Sequence, residues 1–268
     1  MAGRLRGAGA APRALVGGSV HAGEAQVDSL VDAVGSFATY EGVFPGATEE
    51  DWAPWRQRHP ELFEGEAWRL PFRSFLIRTA GRVVLVDTGV GPASGGDWLP
   101  DRQGWLLEEL ARVGVPPDAV DTVFLTHVHV DHVGWNHAFE RARFVAHRDS
   151  IPLSAERGRP LPERTDAVEG EAELAPGVVA FEAPGHLPGH MGVRVGDEVA
   201  LLGDVAVHPA QLVRPGLVYT ADGDPERCAE TRREVLARYG DRILGCGHFP
   251  GTGFGRLVDG VWTPPSHE

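Results

Sequence analysis

Three histidines and an aspartate lie close together directly after a predicted strand. Residues 126–134 are THVHVDHVG, and the run before them, VDTVFL, predicts the strand. Side chains alternate in an extended chain, so His127 and His129 point to the same side and can bind one cation. Asp131 and His132 come after the turn, where they can reach a second cation. The segment therefore predicts a strand that ends at a metal site.

Two imidazoles do not complete a metal site, so further ligands are expected later in the chain. The candidates lie on Gly/Pro turns or after short predicted strands, next to glycines that let the backbone approach a shared centre. They are His186, His190, Asp204 and His248. Imidazole and carboxylate suit Zn²⁺, and also Fe or Mn, better than they suit an ion that prefers oxygen alone. We therefore expect divalent metal ions, with zinc preferred.

The rest of the composition is that of a folded, acidic protein. The 268 residues are 42% hydrophobic with a net charge of −13, which disfavours binding to nucleic acid or an anionic membrane. No apolar run approaches the roughly 18 residues of a membrane span. The two cysteines are too few for a disulfide framework, and Arg13 interrupts any signal-peptide core. We expect a cytoplasmic protein with a loose tail at residues 1–24 and a single domain over 25–268.

Predicted strands alternate with predicted helices along the chain. Residues 75–79 and 83–86 predict two strands around a glycine turn. Residues 101–113 predict a helix that stops at Gly114. Asp224 and Pro225 form an N-cap and N1 pair that begins a second helix. Further short strands are predicted at 142–145, 178–181, 193–195, 199–202 and 243–245. Because some strands are linked as hairpins, we expect mixed sheets covered by helices.

These motifs make the chain similar to the metallo-β-lactamase fold superfamily over roughly residues 70–255. The resemblance implies an α/β fold, a four-layer αββα sandwich of two mixed β-sheets. It implies two divalent metal ions, one bound by His127, His129 and His190, a second bound by Asp131, His132 and His248, and Asp204 as the bridge. His186 then lies outside the ligand set. Asp87 matches an aspartate that supports the ligand loop, with ordinary turn chemistry as the alternative.

The resemblance also implies hydrolysis. Two metals can hold a shared water and lower its pKa, so we expect a metal-bridging hydroxide to attack a small, fairly apolar ester, lactone or thioester. Asp131 or Asp204 can orient this nucleophile and relay its proton as a catalytic residue. The alternatives are an organophosphate or aryl-ester hydrolase and an iron-dependent persulfide oxygenase. The oxygenase uses one iron and part of the ligand set, whereas all seven ligand positions are filled here.

The loop after Asp204 bears on the substrate. Many acyl-homoserine lactonases carry a tyrosine shortly after the bridging aspartate, whereas residues 204–211 are DVAVHPAQ. This departure counts against a homoserine-lactone substrate. His208 is the candidate that replaces the tyrosine as a substrate contact or proton donor, with an exposed loop histidine as the alternative.

Residues 37–72 are rich in aromatic side chains. We interpret them as an N-terminal flap whose rings either line the substrate cavity or pack the flap onto the sandwich. The aromatic residues are Phe37, Tyr40, Phe44, Trp52, Trp55, Phe63, Trp68 and Phe72. The expected partner is a small-molecule substrate, and a homodimer is left open.

Overall fold

Two mixed β-sheets pack face to face in the computed structural model, which describes residues 15–92 and 104–265. The first sheet contains β1 (Gly18–Ala22), β2 (Ala25–Thr39), β3 (Phe63–Glu64), β4 (Ala67–Thr79), β5 (Arg82–Val86), β6 (Thr122–Leu125), β7 (Arg143–His147) and β8 (Thr165–Val168). Its strand order is β1-β2-β4-β5-β6-β7-β8, with β3 paired to β4.

The second sheet and the helices complete the described part of the chain. The sheet contains β9 (Ala172–Ala175), β10 (Val178–Glu182), β11 (Met191–Val195), β12 (Val199–Leu201), β13 (Ile243–Gly245), β14 (Phe254–Val258) and β15 (Val261–Thr263), ordered from β15 to β9. The helices are α1 (Tyr40–Val43), α2 (Glu49–Arg58), α3 (Leu106–Arg112), α4 (Ser150–Glu156), α5 (Ala210–Val213) and α6 (Pro225–Tyr239). None of these helices is long and apolar enough to cross a membrane.

Alternating burial explains why the sheets form a sandwich. In β4, Phe75 and Ile77 belong to the core between the sheets, whereas Leu76 packs in the cluster that contains residues of α3. In β12, Leu201 joins the inner core, and Ala200 packs in the cluster that contains residues of α6. Each sheet is therefore buried on both faces, in the order helix, sheet, sheet, helix. The predicted αββα fold is confirmed.

The predicted hairpin and the predicted C-terminal helix are both present. Strands β4 and β5 pair antiparallel. The Asp224 side chain accepts a hydrogen bond from the Arg227 backbone N–H at 2.9 Å, and Pro225 is the first residue of α6. Helix α3 begins at Leu106, and the predicted start of that helix at 101–103 lies outside the described residues.

The prediction of a loose N-terminal tail is wrong for residues 15–24. Strand β1 pairs antiparallel with β2, and Leu15 forms an isolated bridge with Gly251. Leu15 is 1% exposed. The local sequence does not predict this strand. Strand β1 is stabilised by its hydrogen bonds to the long strand β2, and its own residues have little intrinsic preference for an extended conformation. Residues 1–14 lie outside the described residues.

The predicted aromatic flap is built into the sheet. Strands β2 and β4 pair along most of their length, and residues 40–66 between them carry α1, α2 and β3. The ring centroids of Tyr40 and Trp52 are 4.5 Å apart, and those of Phe44 and Trp68 are 5.2 Å apart. All four rings are buried. This packing favours a structural role for the aromatic residues; the side chain of Phe37 lies outside the described part.

The central strands end at one edge of the sandwich. Strands β5, β6 and β7 run parallel, as do β12 and β13. Because parallel strands present their carboxyl ends at a common edge, Asp87 after β5 lies near His127 after β6. Asp204 and His248 follow β12 and β13 in the same way. The topology therefore brings predicted ligands from both sheets together.

A buried carboxylate on β2 ties several segments near this edge to the first sheet. Asp32 Oδ2 accepts a hydrogen bond from the Val90 N–H at 2.5 Å. Its Oδ1 accepts from the Leu106 N–H at 2.8 Å and from Trp135 Nε1–H at 3.1 Å. Burial raises the pKa of Asp32 to about 6, although these hydrogen bonds oppose the rise. The carboxylate therefore connects the loop after β5, the start of α3 and the segment after the histidine cluster.

We expect the stability that Asp32 contributes to decline as pH rises. The carboxyl pKa is 3.8 in its ordinary state and about 6 in the fold, so between these values the folded chain binds more protons than the unfolded chain. This contribution is fully present at low pH and is lost as pH rises through the folded pKa. The test compares the unfolding free energy of the wild type with that of Asp32→Asn by urea denaturation. The difference between them should fall by about 2 kcal/mol from pH 4 to pH 7. A difference that stays constant would contradict this expectation, and the exposed Asp118→Asn variant is the control for charge removal.

Candidate metal centre

Two groups of imidazole and carboxylate side chains meet at this edge. The first group is His127, His129, His186 and Asp204, and the second is Asp131, His132, Asp204 and His248. In each group the potential ligand atoms, one per residue, all lie within 4.8 Å of one another. Asp204 belongs to both groups. The described residues thus offer two adjacent positions for a cation, with one carboxylate in common.

Three imidazoles converge in the first group. His129 Nδ1 lies 3.1 Å from His127 Nε2 and 3.0 Å from His186 Nε2. The other ring nitrogens have polar partners, because His127 Nδ1 lies 3.0 Å from Thr126 Oγ1 and His186 Nδ1 lies 3.0 Å from Asp222 Oδ1. These partners favour protonation at Nδ1, which leaves both Nε2 lone pairs directed inward. Inward lone pairs are what a bound cation requires.

Asp204 joins the two groups through one oxygen. Its Oδ2 lies 3.7 Å from His127 Nε2 and 3.6 Å from His186 Nε2. The same oxygen lies 3.5 Å from His132 Nε2 and 3.4 Å from His248 Nε2. One carboxylate oxygen is therefore within reach of two imidazoles from each group.

Asp131 completes the second group on its more open side. Its Oδ2 lies 3.5 Å from both His132 Nε2 and His248 Nε2. The Asp131 side chain is 16% exposed, whereas the two imidazoles are 4% and 5% exposed. Burial acts to raise the pKa of Asp131, but the charges of His132 and His248 outweigh burial and lower it to about 2. Asp131 is therefore an ionised carboxylate at neutral pH.

Each imidazole of the second group is oriented by a hydrogen bond from its Nδ1, the ring nitrogen that faces away from the centre. His132 Nδ1 donates to Asp87 Oδ2 at 2.8 Å, and Asp87 also accepts hydrogen bonds from Thr126 Oγ1–H and Thr126 N–H, both at 2.8 Å. His248 Nδ1 donates to the Pro71 carbonyl at 2.8 Å. These bonds fix the two rings with Nε2 toward the centre. Asp87 therefore supports the ligand loop and is more than a turn residue.

The predicted roles of His186 and His190 are reversed in the structure. His190 Nδ1 donates to the Ala183 carbonyl at 2.7 Å, and its Nε2 accepts a hydrogen bond from the Asp204 backbone N–H at 2.8 Å. Both ring nitrogens are used, so His190 has none left for a cation. The prediction of His190 as a ligand, with His186 outside the set, is wrong. Each histidine follows a Pro-Gly step, so the local sequence does not distinguish them.

His190 instead anchors the backbone of the shared carboxylate. Gly203, directly before Asp204, has a φ of +55°, and a Cβ there would lie 2.6 Å from His190 Nε2. Only glycine lets the ring approach this closely. Burial lowers the pKa of His190 to about 3, so the imidazole is neutral and its Nε2 stays a hydrogen-bond acceptor.

The two groups differ in their electrostatics. In the first group, burial lowers the pKa of His127 well below its usual range and that of His129 to about 4. In the second group burial acts in the same direction, but the surrounding carboxylates, Asp204 foremost, outweigh it. They raise the pKa of both His132 and His248. The second group therefore has a negative potential that attracts a proton or a metal cation.

The donor set fits a pair of divalent cations. His132 Nε2 and Asp204 Oδ1 are buried and have no hydrogen-bond partner among the described residues. Buried polar atoms without a partner are costly, and a cation at this position would satisfy them. Imidazole nitrogens together with carboxylate oxygens are suitable donors for zinc.

His208 lies inside the aromatic core. Its ring centroid is 5.9, 5.3 and 5.0 Å from those of Tyr40, Trp52 and Trp55, and the residue is 0% exposed. Its Nδ1 accepts a hydrogen bond from the Ala210 N–H at 3.1 Å, and burial lowers its pKa to about 3. No hydrogen bond or ring contact within the described chain joins it to a candidate ligand. The structure gives no support for a catalytic His208, and the exposed loop position is wrong.

Two residues beside the first group were missed by the sequence analysis. Asp222 is buried and accepts the hydrogen bond from His186 Nδ1. The Tyr219 ring lies parallel to the His186 ring, with centroids 6.2 Å apart and planes 8° apart. Burial, with the nearby carboxylates, raises the pKa of Tyr219, so its hydroxyl stays protonated at neutral pH. Both lie in the loop before α6, where the only local signal was the N-cap at Asp224.

Comparison with known proteins gives one family match and several lactonases. A family model described as the metallo-beta-lactamase superfamily matches residues 71–248. An N-acyl homoserine lactonase of Bacillus thuringiensis is 29% identical over 157 residues, which cover 51% of this chain and 63% of the lactonase. The N-acyl homoserine lactonase AiiB of Agrobacterium fabrum (strain C58) is 30% identical over 160 residues, which cover 47% and 58%. The chain thus spans less than two thirds of either lactonase.

Solved structures resemble nearly the whole chain. AidC, a dizinc quorum-quenching lactonase in complex with a product, has a TM-score of 0.77 at 17% identity and covers 96% of this chain and 99% of AidC. The hydrolase AbOPH of the beta lactamase superfamily has a TM-score of 0.74 at 20% identity and covers 95% and 99%. At these identities the likeness shows the fold alone.

We expect His186→Ala to lose one bound metal and His190→Gln to keep both. After saturation with Zn²⁺ and desalting, mass spectrometry should find about one zinc per chain in His186→Ala and about two in His190→Gln. His190→Gln should lower the thermal unfolding temperature instead, because its hydrogen bonds support the Asp204 backbone. Circular dichroism of both variants controls for loss of structure. The opposite pattern of zinc contents would instead support His190 as the ligand and place His186 outside the set.

Proposed function

The chain belongs to the metallo-beta-lactamase superfamily, and from that premise we propose that it is a dinuclear metal-dependent hydrolase of a small, fairly apolar ester or lactone. The proposal depends chiefly on Asp204 Oδ2, which lies 3.4–3.7 Å from four imidazole nitrogens in two ligand groups. A carboxylate shared in this way is suited to hold two metal ions side by side. Zinc is the proposed metal, because it suits imidazole and carboxylate ligands and because AidC is described as dizinc.

The chain's own residues would bind and orient the reactants. Two bound divalent cations would supply a shared water of lowered pKa and polarise the carbonyl oxygen of the substrate. Asp131 is ionised and partly exposed, so it would accept a hydrogen bond from the attacking water and orient it. Asp87 and Asp222 hold ligand imidazoles from behind, so the centre needs little rearrangement when substrate binds.

A lactone is the substrate class that the comparisons favour. The two relatives described above are N-acyl homoserine lactonases. We propose that Tyr219, whose ring lies parallel to the His186 ring with centroids 6.2 Å apart, serves in place of the tyrosine that is missing after Asp204. The Tyr219 ring also lies 5.6 Å from Phe44 and 6.0 Å from Trp68. Phe44 and Trp68 are fully buried and support the Tyr219 ring. Tyr219 is partly exposed beside His186, and this apolar surface favours an acylated lactone over a highly charged substrate.

The alternative of an iron-dependent persulfide oxygenase has less support. Such an enzyme uses a single iron and part of the ligand set, whereas both ligand groups are complete here. A hydrolase of organophosphates or aryl esters would use the same pair of metals. The site does not distinguish these substrates, so both are included in the substrate screen.

The test is metal content followed by a substrate screen. We expect the purified chain to hold about two zinc ions and to hydrolyse acyl lactones faster than aryl esters, thioesters or phosphotriesters. Removal of metal with a chelator should abolish turnover, and added Zn²⁺ should restore it. Asp204→Ala should lower kcat/KM more than about 100-fold together with the metal content, because both ligand groups lose a donor.

The exposed Asp118→Ala variant is the matched control and should retain both metals and full turnover. Two bound metals without hydrolysis of any of the four substrate classes would refute the proposed hydrolase. One iron per chain with oxygen uptake on a persulfide would instead support the oxygenase.

A further inference from the structure

Two buried arginines each hold the backbone of a loop that carries ligands. Arg232 on α6 is 1% exposed, and Arg73 on β4 is 3% exposed. Carbonyl groups of irregular loops have no sheet partner, and a guanidinium with five N–H donors can satisfy several of them at once. The two arginines bind carbonyls of different loops. Arg232 also binds the side chain of Asp222, which contacts His186. The carbonyls that Arg73 binds include those directly before and after His248.

Arg232 connects the loop after the shared carboxylate to the partner of His186. Its Nε donates to the Val205 carbonyl at 2.5 Å, and its Nη2 donates to Asp222 Oδ2 at 2.7 Å. Its Nη1 donates to the Pro215 carbonyl at 3.0 Å. The other oxygen of Asp222 accepts the hydrogen bond from His186 Nδ1. Arg232 therefore fixes the carboxylate that orients one ligand of the first group.

Arg73 holds the loop on both sides of His248. Its Nη1 donates to the Gly247 carbonyl at 3.2 Å and to the Phe249 carbonyl at 2.7 Å. Its Nη2 donates to the Gly251 carbonyl at 2.5 Å. The same strand supplies the carbonyl that accepts the hydrogen bond from His248 Nδ1. Arg73 therefore fixes one ligand of the second group.

The two arginines act on separate parts of the centre. No acceptor in the described hydrogen bonds is shared between Arg232 and Arg73. Asp204, which belongs to both groups, has its own backbone anchor in His190. Loss of Arg232 removes one backbone contact beside Asp204, at the Val205 carbonyl, but leaves the His190 anchor in place, so we expect it to disturb mainly His186.

We propose that Arg232 and Arg73 are positioning residues with separate targets. Arg232 sets the metal affinity of the group that contains His186, and Arg73 sets that of the group that contains His248. This inference rests on the metal binding in the proposed function and goes beyond it. An arginine that only stabilised the fold would alter both groups to a similar degree, so the selectivity between groups is the distinguishing property.

The metal affinities of the two groups can be measured separately in variants that keep only one complete ligand group. His248→Ala retains the first group, and His129→Ala retains the second. Arg232→Met and Arg73→Met are introduced into each, and Co²⁺ affinity is measured by titration against a competing chelator. We expect Arg232→Met to weaken Co²⁺ binding about 10-fold in the His248→Ala protein and less than about twofold in the His129→Ala protein. Arg73→Met should show the reverse.

Arg232→Lys and Arg73→Lys are the conservative variants, and they provide the test where a methionine variant does not fold. A single ammonium satisfies fewer carbonyls than a guanidinium, so lysine should restore part of the affinity, in the affected background only. Equal weakening in both backgrounds, or no weakening in either, overturns the inference. A wild-type chain that binds no Co²⁺ overturns the proposed function as well, whereas a chain that binds two ions without hydrolysing any substrate refutes the hydrolase alone.

Discussion

The contact of one Asp204 oxygen with four imidazoles is the feature on which the candidate centre depends. Asp204 follows β12 in the second sheet, whereas His127 and His132 follow β6 in the first. Each ligand group therefore takes side chains from both sheets. The distances of 3.7 Å from Asp204 Oδ2 to His127 Nε2 and of 3.5 Å to His132 Nε2 exist only while the sheets are packed together. The apolar layer between the sheets is thus as necessary to the centre as the ligands themselves.

The parts of the fold that follow from local pattern could be predicted from sequence. Alternating burial in β4 and the capped start of α6 at Asp224 are properties of a few neighbouring residues. The spacing of His127, His129 and His132 likewise depends on one strand and one turn. Strand β1 was missed, because its pairing with β2 involves residues that lie on another segment.

The errors at the site have the same physical origin. His186 and His190 follow identical Pro-Gly steps, and they differ only in partners that are distant in sequence. Asp222 accepts the hydrogen bond from one, and the Asp204 N–H donates to the other. A carboxylate behind an imidazole orients a free nitrogen toward the centre, whereas two backbone partners use both nitrogens. His208 was misplaced because its aromatic neighbours come from the segment before β4.

Ligands that come from two sheets link metal binding to both folding and protonation. A cation that binds only the packed sandwich stabilises it by mass action. Without a cation, Asp204 and its neighbours raise the pKa of His132 and His248 against the effect of burial, so protons offset the negative charge of the second group. A metal at this position must displace those protons, because only the neutral imidazole is a ligand. For the proposed second metal, affinity would therefore rise with pH, because acid would restore the protons that the cation must replace.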